Sequence, residues 1–120
     1  MKYSLFSLIS VAFIFMGCQH TIFGSTSWQY EVSGTAQTVN ITKRDAQGNI
    51  IQHSNVELPW SYSFSRYNTH TFLASITAQN NYNNGSVTVR IIRNGREVRS
   101  ATSEGAFVIA SASYHMTSTF

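Results

Sequence analysis

The residues that could carry out acid–base, metal or nucleophilic chemistry are few and lie far apart in this chain. The four histidines are widely separated, and none forms the i, i+2 or i, i+4 pair that a local metal site uses. Asp45 is the only aspartate, so a Ser/His/Asp triad would have to recruit a residue that lies in a turn signal. The four glutamates are isolated, and no spacing suggests a general acid paired with a general base. We therefore expect no enzyme activity, no metal site and no cofactor.

Four arginines lie within one predicted hairpin. The Asn-Gly pair between them is a strong signal for a two-residue turn, because both residues accept a positive φ angle. Such a turn would place Arg90 opposite Arg99 and Arg93 opposite Arg96, and like charges in direct opposition are mildly unfavourable on a sheet. The hairpin is therefore a solvated ribbon, a protection against edge aggregation, or a basic tip that contacts anionic head groups or an acidic partner surface.

Tyr82 is the second kind of contact candidate. It stands alone in an Asn-rich loop at positions 80–85, and loops often carry binding residues. The equal alternative is a tyrosine that folds back over the end of the domain. The possible interaction surface thus comprises Arg90, Arg93, Arg96, Arg99 and Tyr82.

Cys18 is the only cysteine and follows an apolar amino-terminal segment. Lys2 supplies a positive start, residues 5–15 supply an apolar run, and Gly17 places a small residue directly before the cysteine. This arrangement resembles a bacterial lipobox, in which the thiol receives a diacylglycerol and the peptide is cut before it. We therefore predict a lipoprotein signal peptide over residues 1–17 and lipidation of Cys18, with palmitate among the acyl chains.

Two other interpretations of this segment stay open. A signal peptide cut elsewhere, for instance near Gly24, would leave Cys18 in the discarded part. A transmembrane helix ranks third, because the apolar run is shorter than the ~20 residues that span a bilayer.

Gln19 follows the cysteine where inner-membrane retention signals usually show aspartate. The lipobox resemblance therefore favours a lipid-anchored protein of the bacterial envelope, at the outer membrane or facing the periplasm.

The rest of the chain is long enough for one compact domain. We predict a lipidated tether over residues 18–26 and a single domain over residues 27–120. Few charged residues, one proline and many Ser, Thr, Asn and aromatic residues suit pleated strands and polar turns. Without Lys2 the formal charge falls from +3 to +2, which gives no support for nucleic-acid binding.

Alternation of apolar and polar residues recurs along the domain, with a turn signal about every ten residues. We predict an all-β fold, a single immunoglobulin-like antiparallel β-sandwich of about seven strands, with a small closed barrel as the alternative. Trp60, Tyr62 and Phe64 alternate directly after Pro59. We expect this aromatic ladder to pack in the core, because the only cysteine is assigned to the anchor and no disulfide would support the domain. An exposed aromatic binding surface is the other interpretation.

Several short segments also carry a resemblance to a known family. They are residues 30–34 (YEVSG), 56–61 (VELPWS), 78–79 (AQ), 85–86 (GS) and 89–91 (VRI), with Val39, Ile41, Asp45, Gly48, Gly95 and Gly105. Together they resemble the soluble domain of the mycobacterial MmpS family, small envelope proteins that accompany large transporters of the resistance-nodulation-division class. That domain commonly has a cysteine pair, and the approximately matching positions here hold Val89 and Ala112. We expect these two residues to fill the space as ordinary core.

These observations predict a lipid-anchored, non-enzymatic interaction or transport-accessory module. The resemblance implies an envelope transporter or another envelope protein as partner, besides the membrane that holds the anchor; the oligomeric state stays open. The alternative is a carrier that holds a small apolar or lipidic ligand between its sheets, which a cavity lined by Trp60, Phe72 and Phe107 would support. A mainly structural surface protein is the third interpretation.

Overall fold

A computed structural model of the chain describes residues 24–67 and 71–117, which form two packed antiparallel sheets. The predicted signal peptide, Cys18 and most of the predicted tether lie outside these residues. The strands are β1 (Ser25–Ser33), β2 (Thr38–Arg44), β3 (Ile50–Glu57), β4 (Trp60–Tyr67), β5 (Phe72–Asn80), β6 (Ser86–Arg93), β7 (Arg96–Glu104) and β8 (Ile109–Met116). The prediction of an all-β sandwich is confirmed.

The described residues contain eight strands, where about seven were expected. Every alternating segment forms a strand of its own, including the segments on either side of the cis peptide bond between Leu58 and Pro59. One sheet has the order β4-β1-β6-β7 and the other β3-β2-β5-β8, so the chain forms a two-sheet sandwich and not a closed barrel. The specifically immunoglobulin-like arrangement stays a prediction.

The core lies between the sheets and follows the alternation of the strands. In β1, Trp28, Tyr30 and Val32 are almost completely buried, while the residues between them are more exposed. The hydroxyl of Tyr30 crosses the core, donating to the carbonyl oxygen of Arg44 at 2.7 Å and accepting from the amide of Ser75 at 3.2 Å. One side chain of the first sheet therefore satisfies backbone groups on two strands of the second.

The aromatic ladder of β4 packs against this core from the edge of its sheet. Trp60 and Tyr62 stack with their ring centres 6.5 Å apart, and Tyr62 and Phe64 follow at 5.5 Å. All three are partly buried against the core cluster, which confirms their core interpretation. An edge strand leaves such rings half covered, because no further strand lies beside them.

Val89 and Ala112 both belong to the core of the sandwich. Val89 is fully buried in β6, and Ala112 of β8 packs against the same core cluster from the other sheet. Valine and alanine thus fill this part of the core with small apolar side chains. The two expectations for these positions are confirmed.

The antiparallel order gives the sandwich two distinct ends. The first, which we call the tether end, contains the start of β1, the end of β8 and the turns at 45–49 and 94–95; the amide of Asn94, for example, donates to the carbonyl of Ser27 at 2.7 Å. The second, the distal end, contains the connections at 34–37, 58–59, 81–85 and 105–108. Hydrogen bonds between its loops, such as that from the Gly105 amide to Gly85 at 2.9 Å, hold the distal end together.

Candidate interaction surfaces

The arginine hairpin forms as predicted at its tip and differs further along. Asn94 and Gly95 have φ angles of 51° and 79°, so the two-residue turn is confirmed, and Arg93 faces Arg96 across it. A register shift beside Ile91 then changes the pairing, as in a β-bulge.

This shift corrects the expected opposition of Arg90 and Arg99. Arg90 lies opposite Ser100, and Arg99 lies opposite the buried Ile91. Because cross-strand partners share a face of the sheet, Arg99 lies on the side that faces the other sheet. The extra residue in β7 therefore decides which side Arg99 occupies, and the alternation alone could not show it.

Two ion pairs on the outer face of the sheet neutralise the positive charge of Arg90. Its Nε lies 2.6 Å from a carboxylate oxygen of Glu97, and its Nη1 lies 2.5 Å from a carboxylate oxygen of Glu31. The hydrogen bond that Arg90 donates to Glu97, with the negative charge of both carboxylates, raises the pKa of Arg90. Its charge is neutralised within the sheet and does not contribute to the predicted tip.

The other three arginines gather around Tyr114, a β8 residue that the sequence did not single out. Arg93, Asn94, Arg96, Val98 and Tyr114 line a groove of about 350 Å³ that we call the arginine groove. The guanidinium of Arg99 covers the Tyr114 ring at 4.9 Å from its centre.

These arginines lack acidic partners in the part of the chain that the structure describes. Both ion pairs found there belong to Arg90. The Nε atom of Arg93 is buried and has no hydrogen-bond partner among the described residues. Arg99 donates only to the neighbouring carbonyl of Val98, at 2.7 Å. The groove therefore presents guanidinium donors that an anion could satisfy.

Tyr82 lies at the distal end, at the other end of β6 from Arg93. The eight residues of β6 span roughly 23 Å at the usual rise of a strand. The five residues predicted as one interaction surface therefore occupy three places: Arg90 on the outer sheet face, three arginines at the groove, and Tyr82 far from both. The loop precedes β6 and the hairpin turn follows it. The two are therefore close in the sequence although they lie at opposite ends of the strand.

Tyr82 has an aromatic neighbour that the sequence did not mark as a contact residue. The amide of Phe107 donates to the carbonyl of Tyr82 at 2.9 Å, and the two side chains are 55% and 42% exposed, respectively. Phe107 has a φ angle of 54°, an unfavourable region for a bulky residue. Buried Asn80 fixes the loop below them, donating to the carbonyls of Asn84 and Gly105 at 2.7 and 3.1 Å. We call Tyr82 and Phe107 the aromatic patch.

A lysine and a histidine meet beside the aromatic ladder, a pair that sequence reasoning also missed. Lys43 is 4% exposed, and its Nζ lies 3.1 Å from Nε2 of His53 and 4.2 Å from the centre of the Tyr62 ring. Burial lowers the pKa of Lys43. Burial, and then the positive charge of Lys43, lower the pKa of His53. The two residues are ten positions apart on paired strands, so no local pattern in the sequence predicts their contact.

The three residues named for a carrier cavity do not line a common space in the described structure. Phe72 is buried against Trp28 near the tether end, whereas Phe107 is exposed at the distal end. Trp60 borders a separate groove of about 270 Å³ with Glu31 and Pro59. The space between the sheets is occupied by the side chains of the core.

Within residues 24–67 and 71–117 there is no cluster of three His, Cys, Asp or Glu that could hold a metal ion. The same residues include no helix that is long and apolar enough to cross a membrane. Cys18, the predicted lipidation site, lies outside them.

Sequence comparison assigns the chain to a class of envelope protein. Residues 12–114 match the family model described as Mycobacterium membrane protein. Since the match covers most of the 120 residues, the chain belongs to this family, the MmpS family. No curated protein matches the chain. Membership makes it an envelope-associated accessory protein, of a family that associates with mycobacterial transporters in general.

Proposed function

We propose that this chain is a lipid-anchored, non-enzymatic accessory protein that contacts an envelope transporter. The observation that carries the proposal is the family match, which runs from the amino-terminal segment at residue 12 to residue 114 in the last strand. Cys18 would hold the protein to the membrane, facing the periplasm or at the outer membrane.

Three of the five carboxylates are engaged by the fold, which supports a role without catalysis. Glu31 and Glu97 are held by Arg90. The carboxylate of Asp45 accepts the amides of Gln47 and Asn49 at 3.0 and 2.9 Å and shapes the turn. These side chains serve the fold, and a general acid or base needs a carboxyl group free to exchange its proton.

The aromatic patch is the surface that we assign to the partner protein. Aromatic residues are enriched in protein interfaces, and Phe107 is held in a strained backbone conformation with more than half of its surface exposed. The patch lies at the distal end, so a protein tethered at its other end presents it away from the lipid. The filled core supports surface contact over ligand carriage.

Anchoring is tested by following the lipid on Cys18. Cells that express the full-length protein are grown with a labelled fatty acid, and the wild type is compared with Cys18→Ser. We expect the label and the membrane association of the wild type to be lost in the variant. Retention of the variant in the membrane fraction would instead indicate an uncleaved helix.

Partner contact is tested by photo-crosslinking in cells. A photoreactive amino acid replaces Phe107 in one variant and the exposed Gln52 of β3 in a control. We expect position 107 to capture a large envelope transporter, identified by mass spectrometry, and position 52 not to. Equal capture at both positions would contradict the assignment of the patch. A purified protein that carries lipid but no crosslinked protein would favour the carrier function.

A further inference from the structure

Charge is segregated along the sandwich. Among the described residues, the tether end carries five arginines, Arg44, Arg66, Arg93, Arg96 and Arg99, against two carboxylates, Asp45 in its turn and Glu97, which pairs with Arg90. The described loops and strand termini of the distal end carry Glu57 and Glu104 and no lysine or arginine. The long axis of the domain therefore runs from a positive to a negative end, a polarity that the net charge of the chain does not show.

The positive end is also the end at which the chain enters the domain. β1 begins there at Ser25, and Cys18 precedes it by seven positions. Seven residues reach at most about 25 Å when fully extended. A lipid on Cys18 would thus hold the five arginines close to the head groups, whereas the distal end would lie a strand length further away.

The arginine groove has the chemistry of a phosphate site. Guanidinium groups bind phosphate oxygens with paired N–H donors, and arginine does so without losing its charge. Arg93 and Arg96 line the groove from the two sides of the turn, and neither has an acidic partner among the described residues. Val98 and Tyr114 contribute apolar atoms to the lining of the groove.

We propose that the arginine groove docks on the phosphate groups of anionic lipids in the membrane that holds the anchor. Arg93, Arg96 and Arg99 would bind the head groups, and docking would orient the domain with its aromatic patch away from the lipid. This inference rests on the proposed anchoring through Cys18. Docking requires a membrane surface with anionic lipids, whereas the lipid anchor requires only the hydrocarbon core of a membrane.

The test uses the full-length lipidated protein in vesicles of phosphatidylcholine, with or without phosphatidylglycerol. Because Cys18 is the only natural cysteine and its thiol would carry the lipid, a second cysteine can be labelled alone. A fluorophore is placed by Gln47→Cys at the tether end or by Asn83→Cys at the distal end, both exposed positions. Quenching by a head-group quencher reports the distance of each label from the surface.

We expect Gln47→Cys to be quenched strongly only when phosphatidylglycerol is present, and Asn83→Cys to be quenched weakly in both vesicles. Replacing Arg93, Arg96 and Arg99 together by glutamine should weaken the docking equilibrium by roughly 100-fold, and high salt should also weaken it. Arg90→Gln is the control for the loss of one positive charge outside the arginine groove, because Arg90 lies on the outer sheet face with Glu31 and Glu97, and it should retain charge-dependent quenching.

Equal quenching at the two ends, or quenching at Gln47→Cys that ignores lipid charge, would overturn docking. Flotation with neutral vesicles reports the anchor separately. A protein that floats with neutral vesicles but shows no charge-dependent quenching is anchored and not docked, so failure of this inference is distinguishable from failure of the anchor.

Discussion

The guanidinium of Arg99 lies 4.9 Å from the centre of the Tyr114 ring, and this contact joins the edge strands of the two sheets. Arg99 belongs to β7 and Tyr114 to β8, which lie beside each other although they are not paired. The contact closes the open side of the sandwich near the arginine groove. Arg99 therefore contributes both to the basic surface near the arginine groove and to a contact that stabilises the sandwich.

Arg99→Gln should destabilise the domain slightly, because a cation over an aromatic ring at an exposed site contributes about 0.5–1 kcal/mol. Thermal unfolding followed by circular dichroism measures the change. Arg96→Gln is the control, since Arg96 makes no described contact with Tyr114, and its melting temperature should stay that of the wild type. Equal melting temperatures for all three proteins would show that the ring contact adds nothing.

Stability should fall as the pH is lowered below 6.5 because of His53. Burial and Lys43 hold the pKa of His53 below its ordinary value of 6.5, so the unfolded chain takes up the proton first. The free energy of unfolding therefore starts to decrease at about pH 6.5 and stops decreasing below the pKa that His53 has in the folded protein. His53→Gln should flatten this part of the curve, measured as the free energy of unfolding in denaturant at each pH. An unchanged pH dependence in the variant would exclude His53 as its source.

Tyr30→Phe should cost about 1–3 kcal/mol, because backbone groups of Arg44 and Ser75 lose their partner inside the fold. Burial raises the pKa of Tyr30 from 10.0 to about 12. The contribution of the Tyr30 hydroxyl to the free energy of unfolding is therefore complete below pH 10 and is lost as the pH rises toward 12. Denaturant titrations at pH 7 and above pH 10 should show the alkaline loss in the wild type and a smaller loss in the variant. A loss of the same size in both would assign it to other groups.

Gly34→Ala should destabilise the distal end by about 2 kcal/mol or more. A Cβ atom there would lie 2.2 Å from the carbonyl oxygen of Ser86, and the φ angle of 134° disfavours a side chain. Gly48→Ala is the matched control, since its φ angle is 86° but no atom lies within 4 Å of an added Cβ. It should cost only backbone strain, about 1 kcal/mol. Similar unfolding free energies for the two variants would contradict the close approach to Ser86.

The sequence by itself determined the strands and the family. Alternation marks a strand by its own side chains, and an Asn-Gly turn needs no distant residue, so β1, the hairpin tip and the aromatic ladder could be predicted locally. Family membership likewise rests on residues along the chain.

Only the tertiary structure decided how the candidate residues are grouped. The bulge in β7 turned Arg99 toward Tyr114, the register of β1 and β6 neutralised Arg90 with Glu31, and the loops at the distal end placed Phe107 beside Tyr82. Each of these depends on pairing between strands distant in sequence, and a shift of one residue reverses the face that a side chain occupies. The separation of a basic tether end from an aromatic distal end arises from the same antiparallel order.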